Sequence, residues 1–545
     1  MIEVLARMPP DDGVPDPFPL ALRPWAPVFT AGSTRRVGLL ELFLEAHRLD
    51  GLAVAIPPAA SGLMRILCAM AARITGLDEA TDSGDWLDRR YALLEDSSGF
   101  EPDAVKCYFD TYAAGLSLHD PQRPFLQDPR LQRECSTSSG VNKLVVARPA
   151  GNNQVFFGHF TDAEQVALAP GEAVLHLIAQ LYYGPSGQCT PRTVNGKRFG
   201  NTMAGPLRRV LSCHPLGRSL FETLVLGIPE PGSWPQAEGG MVDACPWERE
   251  VPADPLAPPG SAAGPLSLLT EQHQHAVLLQ ASKDGHSVVD ATITWGLRHN
   301  RPAHRDPYLI WDERKDGQVY PRDAVAERAL WRDLDALVLL RRGDRGRRPL
   351  IFDGLGGDQL PAALFRELRV VAYGFDQDGQ TRDRTYFNAT TPRLFALLNA
   401  SDSDADTALA QGARQAREAA EKAAWHLSTA LRSAWRTYTT PFTAERPAQQ
   451  APSVQPASGG GAKKTKGAGP WPDRGLAAYW PAAEELFWNL LEGADFSAAI
   501  RLFGEIALRV YDDTTASVAA QPRGARARES ARGLVRTLLD HSRDR

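Results

Sequence analysis

Beyond about Thr390 the hydrophobic pattern keeps a helical period to the end of the chain, and this restricts the architecture more than any other feature. A long helix is predicted in which Leu427, Leu431, Trp435 and Tyr438 recur at near i, i+4 spacing; the Asp-rich Ser401–Thr407 suits its N-terminal side, and it ends before Pro441. Residues 445–472 (ERPAQQAPSVQPASGGGAKKTKGAGPWP) hold nothing to bury and read as a linker. Two or three more helical runs follow, at about 477–491, 496–511 and 524–541. The expectation is an all-α C-terminal region, 389–545, built as a helical bundle with one long flexible connection.

Residues 1–388 instead change period repeatedly. A strand-like entry at Leu20–Thr30 precedes helical spacing over residues 38–50, 58–76, 85–97 and 101–117. Lys143–Pro149 and Gln154–Thr161 then read as two strands joined by a turn at Pro149–Asn153, and a helix covers about Asp162–Tyr183, interrupted at Pro170-Gly171. The Pro- and Gly-dense segment 229–265 reads as extended surface. His275–Lys283 and His286–Gly296 flank Asp284-Gly285, a strong hairpin signal because both central turn residues take positive φ, and this places Lys283 near a hairpin tip. Strands at Pro307–Arg314 and Arg369–Asp376 alternate with helices at Ala324–Arg341 and Pro361–Glu367. The fold class is therefore α+β: a mixed N-terminal domain, 1–388, of helices and short antiparallel sheets, followed by the helical region.

At 545 residues the chain is too long for one core, and length alone favours about three or four domains. The N-terminus has no apolar signal core and no run of 18 apolar residues occurs, so the reading is a soluble, cytoplasmic protein with no membrane partner. Six cysteines stand singly, without a C-x-x-C pair, which favours reduced structural thiols. With a formal charge of −5 the chain is no polycation, so any contact with nucleic acid must come from local patches.

No P-loop, H-E-x-x-H, G-x-S-x-G or EF-hand pattern appears. His273 and His275 would share a strand face, but no third metal ligand is evident; His119-Asp120 reads as a turn before Pro121, and Asp353–Asp358 as a helix entry whose acids would repel phosphate. Basic patches are better represented. Arg341–Arg348 carries five arginines against one acid, Gln521–Arg545 seven against three, and Lys463-Lys464-Thr465-Lys466 lies in the linker. The stretch Gly184–Asn201 (GPSGQCTPRTVNGKRFGN) holds four Gly, two Pro, three cations and no acid, and reads as a loop rather than a helix or strand. Its composition fits a slack surface loop and a phosphate cradle equally: glycine permits close backbone approach, while Arg192, Lys197 and Arg198 attract phosphate.

A set of ordered motifs adds to this reading. Arg123-Pro124-Phe125-Leu126-Gln127, Arg148–Asn152, Leu181–Gly187 leading to Ala204-Gly205-Pro206, Leu220–Leu224 and Glu327–Leu334 together resemble the CasA family, the large subunits of Cascade, the type I-E CRISPR RNA-guided surveillance complex. The likeness runs from about Leu20 to the end and implies a mixed N-terminal domain followed by a C-terminal four-helix bundle. It implies a non-enzymatic subunit, without cofactor or metal, that recognises the protospacer-adjacent motif (PAM) in double-stranded DNA from the minor groove, helps start unwinding and R-loop formation, and docks a helicase-nuclease. The implied partners are target DNA, the guide RNA through the complex, and the backbone, handle-binding and small subunits. Carried onto this chain, the family's glycine loop falls on residues 184–200, with Gly187, Gly196 and Gly200 as close-approach positions beside Lys197 and Arg198; its lysine falls on Lys283; and its glutamine wedge falls on Gly374–Gln380, with Gln380 the first choice and Gln377 the second. The loop touching guide RNA and a neighbouring subunit falls on Arg148, Pro149, Gly151, Asn152 and Asn153. Thr190–Thr193 departs from the more glycine-rich family pattern. A minor groove about 6 Å wide suits slim glycine backbone and an extended lysine, and a wedge at the first base pair offsets a few kcal/mol of unstacking. The alternative is a hydrolase whose His and Asp residues meet only in the fold.

Overall fold

Pro57-Pro58 start a helix at positions where a missing N–H costs nothing, and Gly76 ends it in the left-handed conformation at φ +69°. Small and apolar side chains dominate between them, so the helix is buried on nearly every face. The computed structural model describes residues 16–540 except 81, 146, 149–159, 161–165, 231–241, 301–305, 315, 335, 338–347, 357, 379–381, 394–407 and 441–468. The chain divides into two units, Met1–Ala326 with Gly343–Asn399, and Glu327–Arg342 with Ala400–Arg545.

The first unit mixes helices with small antiparallel sheets. Strand β1 (Ala26–Thr30) pairs with β2 (Ser33–Val37) and β3 (Gly51–Leu52). Helices α1 (Leu39–Leu44), α2 (Pro57–Thr75), α3 (Ser83–Asp96) and α4 (Pro102–Thr111) follow, close to the helical spacing of the sequence. Short turns α5 (Leu131–Glu134) and α6 (Val141–Leu144) lead to α7 (Pro170–Tyr183), which packs on α2. Next come β4 (Gly187–Val194), β5 (Lys197–Thr202), β6 (Ser212–Leu216), α8 (Leu220–Leu226), α9 (Pro265–Thr270), β7 (His275–Ala281) and β8 (Val288–Trp295). The unit closes with β9 (Trp311–Glu313), β10 (Val319–Pro321), α10 (Ala362–Glu367), β11 (Arg369–Asp378) and β12 (Arg382–Thr390); β11 lies between β12 and β6.

One expectation changes here and another is not reached. In place of the strand expected at Lys143–Pro149, Lys143 and Leu144 end the helical turn α6 and the described residues after them form no strand: Leu144 and Val145 are both buried, and so short an unbroken apolar run does not distinguish strand from helix. Of the strand expected at Gln154–Thr161, all but Phe160 lies outside the described residues.

The second unit is helical: α11 (Ala408–Thr439), α12 (Trp471–Gly493), α13 (Ala499–Thr515) and α14 (Pro522–Asp540). The α11 stripe Ala416, Ala420, Ala423, Leu427, Leu431 and Ala434 is buried, and α11 touches each of the other three. Residues Glu327–Arg342 belong to this unit. In place of the helix expected over Ala324–Arg341, the described residues there include a 3-10 turn, Leu330–Asp333. Packing overrides the pattern: the Trp331 ring stacks on Phe487 at 4.6 Å, Arg332 lies 3.6 Å over the Trp480 ring, and Arg332 pairs with Glu421 at 2.8 Å. Arg528 and Arg532 of α14 are both bound to Asp512 at 2.7 Å, so part of the Arg-rich tail is already neutralised.

Candidate nucleic-acid interface

The C-terminal end of α7 is the point from which the sequence-predicted elements depart. The Tyr182 carbonyl accepts the Leu207 N–H at 2.9 Å, and Gly205 N–H donates to the Gly184 carbonyl at 2.9 Å, closing the base of the segment between them. The His275 Nε2 lies 3.0 Å from the Pro185 carbonyl, tying the start of β7 to the same turn. Arg208 donates to the Tyr183 carbonyl at 2.8 Å and lies 5.0 Å over the Phe375 ring of β11. One helix end thus carries the glycine-rich segment, the lysine hairpin and the hairpin of the wedge.

The glycine-rich segment is not a loop: β4 and β5 form an antiparallel hairpin, with Val194 opposite Lys197. Asn195 and Gly196 take φ of +49° and +75°, the signature of a two-residue primed turn that an Asn-Gly pair favours. Pro191 is tolerated because the register shifts between Gln188 and Arg192. Asn195, Gly196, Lys197 and Arg198 are exposed at the tip, Gly187 is exposed at the base and Gly200 is half-buried. Neither Lys197 nor Arg198 has a carboxylate partner among the described residues.

Arg192, by contrast, is no phosphate ligand. It is 0% exposed, donates to Glu134 at 2.7 Å, Asp128 at 2.8 Å and the Trp295 carbonyl at 3.1 Å, and lies 5.1 Å over the Trp295 ring. Burial alone would raise the Asp128 carboxyl, but hydrogen bonds and charge from Arg130 and Arg192 outweigh it and hold it below the usual carboxylate range.

Lys283 is exposed in the β7–β8 connection. The hairpin was legible, but its turn is longer than the Asp-Gly pair suggests: Ser282 N–H bonds the Ser287 carbonyl, and only Gly285 takes positive φ, +72°. The reason is the Asp284 carboxylate, which accepts the Ser282 hydroxyl at 2.6 Å and the His286 N–H at 3.1 Å in an Asx-type turn. These bonds, the Ser282 one first, hold that carboxyl below its ordinary range and turn it to the backbone. The docking of β4 lies at the other end of β8, where Thr294 donates to the Thr190 carbonyl; the rise from Val288 to Thr294 is about 20 Å. The two tips therefore share a scaffold without converging on one point.

Gln377 lies in β11 opposite Asp383, and the hairpin tip follows it. Gln380 lies outside the described residues, as do Pro149, Gly151, Asn152 and Asn153. Arg148 is half-buried, donates to the Val166 carbonyl at 2.6 Å and lies 4.6 Å over the Phe160 ring.

Arg298 went unnoticed in the sequence. It lies 4.2 Å over the Phe199 ring of β5 and donates to the Asn201 carbonyl at 2.9 Å, while Trp295 Nε1 donates to the Phe199 carbonyl at 3.1 Å. No pattern marked these residues, because the contacts join segments about a hundred positions apart.

Among the described residues, the polar clusters named in the sequence and the buried Ser212-His214 pair are arranged as follows. Ser212 Oγ lies 3.0 Å from His214 Nε2, but the other His214 nitrogen has no hydrogen-bond partner among the described residues; Asp306 is held instead by Arg65 at 2.6 Å, and Ser212, His214 and Arg65 are buried. Among the described residues no three His, Cys, Asp or Glu are grouped to hold a metal. His119-Asp120 is a turn, the Asp120 carboxylate accepting the Gln122 and Arg123 N–H groups. Among the described residues no helix is long and apolar enough to cross a membrane.

His275 supplies a pH test. Burial first, then the positive charge of Arg208 and Lys143, outweigh its bond to Pro185 and lower it from 6.5 to about 4. The unfolded chain takes up this proton near pH 6.5 and the folded chain only near 4. Its contribution is therefore full above pH 6.5 and lost as pH falls through that interval, up to about 3 kcal/mol. Denaturant midpoints at pH 7.5 and 4.5 should show a smaller loss for His275→Gln than for the parent; equal losses would refute the assignment.

Comparison with known proteins follows the same outline. The family model described as CRISPR-associated protein Cse1 matches residues 19–521. The fold is similar to a chain of a solved structure described as a CRISPR RNA-guided surveillance complex, with 38% identity and a TM-score of 0.81, covering 95% of this chain and 99% of that one. A second such structure, described as pre-nicking, gives 37% identity and a TM-score of 0.72 over 95% and 98%. Thermobifida fusca Cse1, at 20% identity and a TM-score of 0.73 over 96% and 98%, shares the fold. No curated protein matches the chain.

Proposed function

The chain belongs to the CRISPR-associated Cse1 (CasA) family of surveillance-complex large subunits, and on that premise we propose that it reads the PAM of double-stranded DNA from the minor groove. The observation that carries this is the presentation of Gly196, Lys197 and Arg198 on one rigid hairpin tip and Lys283 on another, exposed and without carboxylate partners among the described residues. Slim glycine backbone and extended cations suit a groove about 6 Å wide, where A·T and T·A look alike. Gln380, with Gln377 as the second choice, supplies the wedge that helps open the duplex and start the R-loop. Pairing with the guide then provides sequence specificity.

In this reading residues 1–388 carry recognition, and 389–545 form the family's four-helix bundle. Arg148, Pro149, Gly151, Asn152 and Asn153 face the guide RNA end and a neighbouring subunit. The backbone, handle-binding and small subunits are the other partners, the helicase-nuclease docks after target binding, and the subunit works in the cytoplasm without catalytic residues, cofactor or metal of its own.

In the assembled complex, Lys283→Ala should weaken PAM-containing duplex binding about tenfold and lower the salt slope by about 1; Lys197→Ala with Arg198→Ala should lower it by about 2. Assembly should be unchanged. Parent affinity and salt dependence in both variants would overturn the site assignment.

A further inference from the structure

Three segments meet at the inner ends of the two hairpins. Gln127 Oε1 accepts the Leu279 N–H at 2.8 Å, and the Asp128 N–H donates to the Val277 carbonyl at 3.0 Å, so these two residues brace β7. The Asp128 carboxylate reaches the other way, accepting Arg192 Nη2 of β4 at 2.8 Å and the Arg130 Nε at 2.8 Å. Arg192 completes the link by donating to the Trp295 carbonyl of β8 and to Glu134. A buried ion pair is poor evidence of stability, since desolvation offsets most of its attraction. Its directional bonds do constrain geometry: the fork of Arg192 fixes β4 against β8, and the carboxylate it grips is bonded through its own backbone to β7.

From this geometry we infer that Arg192 and Asp128 are a positioning pair, setting the spacing of the glycine hairpin against the lysine hairpin so that both engage one duplex. The inference rests on reading these hairpins as the DNA-contacting elements. It adds a role for Arg192 opposite to that suggested by its charge: the residue touches no DNA and acts through the backbone it holds. Asp128 lies outside every segment to which the family resemblance assigned DNA contact. The pair also accounts for the departure at Thr190–Thr193. Arg192 is a buried anchor there, and beside it the Thr190 hydroxyl pairs with that of Ser139 at 2.6 Å while the Thr190 carbonyl accepts the Thr294 hydroxyl.

The test uses the assembled complex carrying Asp128→Asn or Arg192→Lys, with PAM and non-PAM duplexes as probes over a salt series. Asp128→Asn, which keeps the shape and removes the charge, should lower the ratio of PAM to non-PAM affinity about tenfold while leaving the salt slope at the parent value, because no phosphate contact is lost. Arg192→Lys, which keeps the charge and loses the fork, should do the same. Parent discrimination in both variants, or a salt slope reduced as in Lys283→Ala, would overturn the inference. Amide hydrogen exchange of the free chain provides a readout independent of DNA: Asp128→Asn should speed exchange in both β4 and β7, and a change confined to one hairpin would count against coupling. If the parent complex shows no PAM dependence and Lys283→Ala changes nothing, the DNA reading fails, whereas coupled exchange would still stand.

Discussion

Gly205→Ala should destabilise the first unit by about 3 kcal/mol, at the upper end of what forced overpacking costs. A Cβ at this position would lie 2.6 Å from the Tyr182 carbonyl oxygen and 2.9 Å from the Tyr183 nitrogen. Both are backbone atoms in the last turn of α7, so no side-chain rotation relieves the contact. The same helix end carries the bases of the three candidate reading elements, and its displacement should also reduce PAM-dependent binding. Two glycines of the hairpin calibrate the effect. At Gly200 the nearest atom to an added Cβ is Pro191 Cγ at 3.6 Å, ordinary contact, so alanine there should change stability by no more than about 0.5 kcal/mol. At Gly196 nothing lies within 4 Å, but the positive φ should cost about 1 kcal/mol. Denaturant midpoints should be lowest for Gly205→Ala, intermediate for Gly196→Ala and nearest the parent for Gly200→Ala, and a Gly205→Ala midpoint equal to that of Gly200→Ala would refute the crowding.

Trp331→Ala should cost the helical unit about 3–5 kcal/mol, as removal of a large buried aromatic does. The ring is 1% exposed, stacks on Phe487 and meets the Trp480 ring edge-on at 6.1 Å. Arg332 beside it is pulled below its ordinary range, burial being the main cause and Glu421 opposing it, so loosening this corner also exposes the Arg332–Glu421 ion pair to water. With 12 tryptophans in the chain, fluorescence does not isolate the site, and hydrogen exchange in α11 and α12 is the measurement of choice. Trp425, 43% exposed, is the control, and its replacement should leave exchange near the parent rate. Unchanged protection of α11 and α12 in Trp331→Ala would show that residues 327–334 do not brace the unit.

Much of the architecture was legible because helices advertise themselves locally. The stripes of α4 and α11 recur with the helical period, and Pro57 and Gly76 mark the ends of α2 by backbone sterics that act within a few residues. Hairpin β7–β8 was legible for the same reason. The β4–β5 hairpin was not, although Asn195-Gly196 carries as strong a turn signal as Asp284-Gly285. Its strands are polar and contain Pro191, so neither alternation nor β-propensity announced them; they are held by contacts with Ser139, Thr294 and Trp295.

The sequence by itself determined the helical C-terminal region, the mixed character of the rest, and the family, since ordered motifs and short-range periodicity survive without coordinates. It also determined which glycines and lysines were candidates for contact. Only the tertiary structure decided which cations are available. Arg192, Lys197 and Arg198 look alike in composition, yet Asp128 and Glu134, about sixty residues away in the chain, bury and neutralise the first and leave the other two exposed. The physical reason is that burial and ion pairing depend on distance in space, and no local pattern of residues encodes which distant carboxylate the fold brings within 3 Å.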